Sequence, residues 1–234
     1  MKTIAAETSL AEVINTRPVL ARELERLGLD YCCGGERTVA DACATQGLDT
    51  AEVVATLSRV ADDGDGARAQ WATMGVTELV DHIETTHHRY LWAELPRLSA
   101  LLDKIARVHG ERHAELADVC HVYRELRADL EPHLDKEEQV LFPMIKLLAG
   151  AQPAPKFHAG SLVEPIAVLL AEHDRVGELL AQLRALTQGY EVPPDGCESY
   201  RACYERLAEL ETDTHLHVHK ENDLLFPAVV RMDE

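Results

Sequence analysis

His133-Leu-Asp-Lys-Glu137-Glu-Gln-Val-Leu-Phe-Pro143 returns near the far end of the chain as His217-Val-His-Lys-Glu221-Asn-Asp-Leu-Leu-Phe-Pro227. In both stretches Glu follows His at i+4, and Leu-Phe-Pro starts eight residues after the His. On a helix, i and i+4 lie on one face with Cβ atoms about 5–6 Å apart, so an imidazole and a carboxylate project together. Such a pair suits a metal ion: imidazole gives a nitrogen ligand, and a carboxylate gives oxygens able to bridge two ions. With 12 His and 41 acidic residues among 234, about two His-x-x-x-acid matches are expected by chance in any fold. Four occur: His121/Glu125, His133/Glu137, His217/Glu221 and His219/Asp223. The Leu-Phe-Pro tail separates two of them from the background.

Working outward, each pair has a histidine upstream at a matching interval. His88 precedes His133 by 45 residues and His173 precedes His217 by 44, room for a helix, a turn and part of a second helix. The reading is a duplicated helical hairpin, each copy giving one His from its first helix and a His/Glu pair from its second. Four helices with inward ligands make a bundle around a metal site, so the fold expected is all-α. The bundle helices are expected over Thr77–His109, His113–Leu148, Pro165–Thr187 and a last one ending at Pro227. Leu79, Ile83, His88, Leu91, Leu95, Leu98 and Leu102 share the apolar face of the first. Pro96 and Pro132 are expected to kink their helices. Residues 149–162 form a long connection.

Residues 1–60 read as a separate small helical unit, 61–72 as a Gly/Asp-rich linker, and 73–234 as the bundle. In the first unit Ser9 suits a helix N-cap and Pro18 a first turn. Leu-Asp-Tyr-Cys-Cys-Gly-Gly, residues 29–35, is a turn whose paired glycines permit positive φ. Some 60 residues make a marginal core, so this unit is expected to need a partner surface, such as a second copy in a homodimer. Cys32 and Cys33 are adjacent, and a disulfide between neighbours is strained. Thiol exchange, soft-metal binding and plain burial in a tight turn all fit them. Cys43, Cys120, Cys197 and Cys203 stand singly and read as buried structural thiols.

Totals narrow the function. The formal net charge of −18 disfavours nucleic acid and anionic lipid as partners. No apolar run is long enough for a membrane span, the first residues lack a signal-peptide pattern, and the cysteines do not form a secreted scaffold. The expectation is a cytoplasmic protein with reduced thiols.

Six ligands, His88, His133, Glu137, His173, His217 and Glu221, exceed the usual four of a structural zinc. Shared between two ions they give two His per metal with the glutamates as bridges, and a metal separation of about 3.5–4 Å. Mixed N/O ligation suits iron, with zinc and manganese as alternatives, and leaves room for an oxo or hydroxo bridge and a small diatomic. The remaining histidines read otherwise. His82 and His87 point away from the ligand face, His215 and His219 are solvated, His109 and His113 cap the bundle's end, His158 lies in the long connection, and His121 is a weak candidate for a channel role.

Taken together, Tyr-Cys-Cys-Gly-Gly, His88, His133/Glu137 with Leu-Phe-Pro, Glu-His173-Asp and His217/Glu221 resemble the repair-of-iron-centres (RIC) family. The resemblance covers nearly the whole chain. It implies a hemerythrin-like four-helix bundle behind an N-terminal Cys-Cys domain, and a non-haem, oxo-bridged di-iron centre on the six ligands named. It also implies repair of iron–sulfur clusters damaged by nitric oxide or peroxide, by iron donation to iron–sulfur client proteins. The alternatives it leaves are reversible binding of O2 or NO, and reduction of NO at the di-iron centre, which would make the chain an enzyme.

Overall fold

A computed structural model describes residues 4–63, 70–150 and 162–233. The middle of the expected linker, most of the long connection and His158 therefore lie outside the described residues. Among the described residues there is no strand; the one β-bridge joins Ser9 to Thr38.

The first unit contains α1 (Leu10–Thr16), a 3-10 turn (Pro18–Leu20), α2 (Ala21–Arg26), α3 (Val39–Gln46) and α4 (Thr50–Asp63). The Ser9 hydroxyl accepts from the Glu12 amide at the start of α1, and Thr38 does the same for Asp41 at α3, each satisfying an amide that the helix leaves orphaned. Gly28 ends α2 at φ +68, the left-handed region that favours glycine. Gly34 and Gly35 do not use the positive φ that glycine permits. A Cβ on Gly34 would stand 2.9 Å from the Asp30 carbonyl, and one on Gly35 2.5 Å from the Asp223 carboxylate. Close approach, first within the loop and then to the bundle, is what requires the glycines.

The bundle's first helix is α5 (Val76–Ile83), a π turn (Glu84–His88) and α6 (Arg89–His109). Its second is α7 (Glu115–Lys136), a π turn (Glu137–Leu141) and α8 (Phe142–Gly150). The third is α9 (Val163–Leu186), and the fourth is α10 (Glu198–Lys220), a π turn (Glu221–Leu225) and α11 (Phe226–Asp233). The first helix packs on the second and fourth, and the second on the third. Pro96 and Pro132 lie inside α6 and α7, which run on through both. Departure from α geometry comes after the ligand pair. Pro143 and Pro227 have no N–H and their rings crowd the carbonyl four residues back. The turn ahead of each widens, and the amides of Phe142 and Phe226 reach the carbonyls of Glu137 and Glu221, five residues back.

Two apolar layers in the bundle enclose the ligand level. One runs from Leu91, Leu95 and Leu98 to Tyr200, Leu207 and Leu210. The other holds Leu79, Ile83, Leu141, Phe142, Ile145, Leu225, Phe226 and Val229, and so is built largely from the two Leu-Phe-Pro tails. Burying one such Phe contributes about 1.5–3 kcal/mol. The first unit has its own core, and Val218 of α10 is part of it. Part of the surface that small core needs is thus supplied by the bundle of the same chain.

Candidate metal centre

All six sequence-chosen ligands meet in one buried layer: His88, His133, Glu137, His173, His217 and Glu221 are each at most 1% exposed. His88 and His217 face each other with Nε2 atoms 3.1 Å apart, and so do His133 and His173. Glu137 Oε2 lies 3.4 Å from His88 Nε2 and 3.3 Å from His133 Nε2. Glu221 mirrors it, with Oε1 3.0 Å from His217 Nε2 and Oε2 3.2 Å from His173 Nε2. Two donor sets result, His88/His217 and His133/His173, each completed by both glutamates.

The ring tautomers show what belongs between them. His88 Nδ1 donates to Glu138 at 3.0 Å, His133 Nδ1 to Glu172 at 2.9 Å, and His173 Nδ1 to Asn222 Oδ1 at 2.7 Å. Asn222 is oriented by its Nδ2, which donates to the Cys32 carbonyl at 2.9 Å. With the proton held on Nδ1, each neutral ring aims an Nε2 lone pair at the centre, so the close Nε2 pairs are lone pairs facing one another. Both oxygens of Glu137 and Oε2 of Glu221 are buried without a hydrogen bond among the described residues, a costly arrangement for polar groups in a dry site. Cations resolve both features, and the donors fit a pair of them. His217 differs: its Nδ1 has no hydrogen-bond partner among the described residues.

Without a cation, only protons offset the carboxylates. Burial lowers the His133 pKa, but Glu137 and Glu221 outweigh it and raise it to about 9. Burial and Glu221 raise that of Glu137, yet His133 and His88 bring it down to about 2. A bound metal replaces those protons. The phenyl rings of the Leu-Phe-Pro tails floor the site. Phe142 lies against His88 with centroids 5.2 Å apart, and Phe226 against His173 at 5.9 Å and 2°.

Several histidines lie where the sequence reading did not put them. His87, within the π turn, is buried, with Nδ1 donating to Asp213 at 2.8 Å and Nε2 accepting from Lys220 Nζ. Lys220, 2% exposed, sits over the Trp71 ring and 3.1 Å from His82. Burial outweighs Asp213 and Glu221 and lowers its pKa to about 8. His219 is fully buried between Asp223 and Asn15, and half-buried His215 meets Glu25. Both serve the junction between the two units, because α10 is covered there by α1 and α2 and not by solvent. His109 is buried against Cys197, which is itself exposed and not a core thiol. Half-buried His113 meets Asp195. His121 pairs with Glu125 on the outer surface, its side chain 71% exposed, which rules out a channel role. Glu138, Glu172 and Asn222 went unnoticed, although two carried a signal: Glu138 and Asn222 are the residues directly after Glu137 and Glu221 in the two copies of the repeat.

Fold and site together define a helical-bundle protein with a paired-metal centre. Residues 79–229 match the hemerythrin HHE cation binding domain, and residues 6–61 match the ScdA_N domain, described as a domain of unknown function. Iron-sulfur cluster repair protein YtfE of Citrobacter koseri is 33% identical over 218 residues, covering 93% of this chain and 94% of its own. The proteins of that name from Escherichia coli O81 and Shigella boydii align to the same extent. The chain belongs to the hemerythrin HHE cation-binding family, in the two-part form with an ScdA_N domain, and the resemblance read from the sequence is borne out. Its cofactor is a pair of iron ions. No helix among the described residues is long and apolar enough to cross a membrane.

Proposed function

We propose that this chain is a di-iron protein that repairs iron–sulfur clusters damaged by nitrosative or oxidative stress, by giving up iron to client proteins in the cytoplasm. The single observation that carries the reading is the twofold donor set: two imidazole pairs, each 3.1 Å across, shared by two buried glutamates. Relatives aligned over nearly the whole chain bear the name of iron–sulfur cluster repair proteins. In this reading His88, Glu137, His217 and Glu221 hold one ion and His133, Glu137, His173 and Glu221 the other. A bound iron pair supplies one-electron chemistry and a store of iron. The protein's part is positional: Glu138, Glu172 and Asn222 aim three of the rings, and the leucine and phenylalanine layers exclude water. The division into a Cys-Cys unit (1–60), a linker (61–72) and a metal-binding bundle (73–234) belongs to the same reading.

Reversible binding of O2 or NO, or NO reduction, would use the same irons. The Cys-Cys loop favours repair, because Asn222 ties the Cys32 carbonyl to a ligand ring, a link a gas carrier has no need of. The test combines metal analysis with the ultraviolet–visible spectrum, then reactivation of an iron–sulfur enzyme inactivated by nitric oxide. Two irons per chain, an oxo-to-iron band and reactivation are expected. Catalytic nitrous oxide formation without reactivation would favour the reductase, and reversible gas uptake without reactivation would favour the carrier.

A further inference from the structure

Outside the bundle's ligand layer, a second group of metal-binding side chains converges in the Tyr31-Cys-Cys-Gly-Gly loop. Ligand atoms of Asp30, Cys32 and Cys33 all lie within 4.8 Å of one another. Both thiols are free, and their sulfurs are 3.7 Å apart. A disulfide needs about 2.05 Å, so the pair is far from bonded. Two thiolates on one tetrahedral ion, with metal–sulfur lengths of ~2.3 Å, stand ~3.8 Å apart. The observed separation is therefore already that of a chelating pair. Asp30 Oδ1 lies 3.3 Å from the Cys32 sulfur and is fixed there by the amides of Cys32 and Cys33, at 3.0 and 2.9 Å.

The surroundings suit a cation. The loop borders a cavity of about 560 Å³, with Asp174, Glu178 and Gly177 of α9 on its other side. Gly177 leaves space beside the Cys33 sulfur, since even a Cβ there would stop 3.9 Å away. The basic groups on the cavity wall are already committed, Arg184 to Glu211 and His215 to Glu25. Cys33, burial and Asp30 all push the Cys32 thiol well above its usual pKa; a bound divalent ion reverses that balance, because a coordinating thiol gives up its proton.

The geometry points to a third metal site, formed by Asp30, Cys32 and Cys33, that takes a thiophilic divalent cation such as Fe(II). Binding forms two metal–thiolate bonds and one metal–carboxylate bond and releases the two thiol protons to solvent, with no change of oxidation state. The site is joined to the bundle by Asn222, whose Oδ1 accepts from the ligand His173 while its Nδ2 donates to the Cys32 carbonyl. That position makes it the exit post for iron leaving the bundle, a use that rests on the repair reading above.

The full chain, reduced and anaerobic, is first loaded to two irons and then titrated with Co(II). Wild type is expected to bind a third metal with a thiolate-to-cobalt charge-transfer band. Cys32→Ser/Cys33→Ser is expected to keep two irons and its helical circular dichroism while losing both the third equivalent and the band. Asp30→Asn is expected to weaken the third equivalent at least tenfold. Saturation of wild type at two metals, or a band that survives in the double variant, overturns the site. The exit role is read from the rate at which a chelator removes iron, expected to fall severalfold in the double variant; an unchanged rate overturns that role. Failure of the repair reading shows up separately, as failure of the two-iron protein to reactivate an iron–sulfur enzyme inactivated by nitric oxide.

Discussion

Glu138 Oε1 stands 3.0 Å from His88 Nδ1 and also accepts from Trp92 Nε1 at 2.8 Å, so one carboxylate on the second bundle helix orients a metal-facing ring on the first. Partners of this kind typically govern 10–100-fold in metal affinity. Glu138→Ala should weaken metal binding by about that factor in a competition titration. Glu138→Gln, whose side-chain oxygen can still accept, should keep most of the affinity. Equal loss in both variants would mean that Glu138 acts through its charge and not by aiming the ring.

Metal removal should destabilise the bundle, because its centre then keeps unpaired carboxylate oxygens and opposed imidazoles. A ligand present at 1,000 times its dissociation constant stabilises the native state by about 4 kcal/mol. At roughly 2–4 °C per kcal/mol for a chain of this size, stripping the metal should lower Tm by about 10 °C in calorimetry. Serine in place of both Cys32 and Cys33 should leave most of that difference intact.

Cys197 should be the thiol most reactive to alkylation near neutral pH. Arg112 can only donate, and its NH2 faces His109 Nδ1 at 3.3 Å, so His109 carries its proton on Nε2 and donates to the Cys197 sulfur at 3.2 Å. The His109 contact, then the amide of Tyr200, bring the Cys197 pKa down to about 7. Because the thiolate is the nucleophile, the iodoacetamide rate at Cys197 should rise with pH through a midpoint near 7. His109→Ala should move that midpoint upward. Mass mapping of the labelled peptide distinguishes this cysteine from Cys33.

Arg184 clamps Glu211 with two hydrogen bonds, Nε to Oε1 at 3.0 Å and NH2 to Oε2 at 2.5 Å, joining the third and fourth bundle helices. Glu211 is only 2% exposed. Arg184→Ala should cost about 3–5 kcal/mol in denaturant unfolding, since it leaves a buried charge without its partner. Replacing both by methionine should recover much of the loss; if it does not, the pair is worth more than its packing.

The repeat made the ligand set legible: two helical turns ending in Leu-Phe-Pro, and two histidines at intervals of 45 and 44, named all six residues that meet in the buried layer. The apolar face from Leu79 to Leu102 was legible too, since every residue on it is buried. The π turns were partly readable, because Pro143 and Pro227 deny an amide to the normal ladder, whereas the turn ending at His88 has no such proline beside it.

His215 and His219 were misplaced because helical periodicity reports which residues share a face, not what covers that face. On its own the sequence determined the elements, their duplicated pattern and the donors, all of which depend on spacing along one helix. Only the tertiary structure decided that α1 and α2 roof α10, that Glu138 and Asn222 aim rings on other helices, and that Cys32 lies two hydrogen bonds from His173. Those relations join residues far apart in the chain, and their energy exists only once the helices pack.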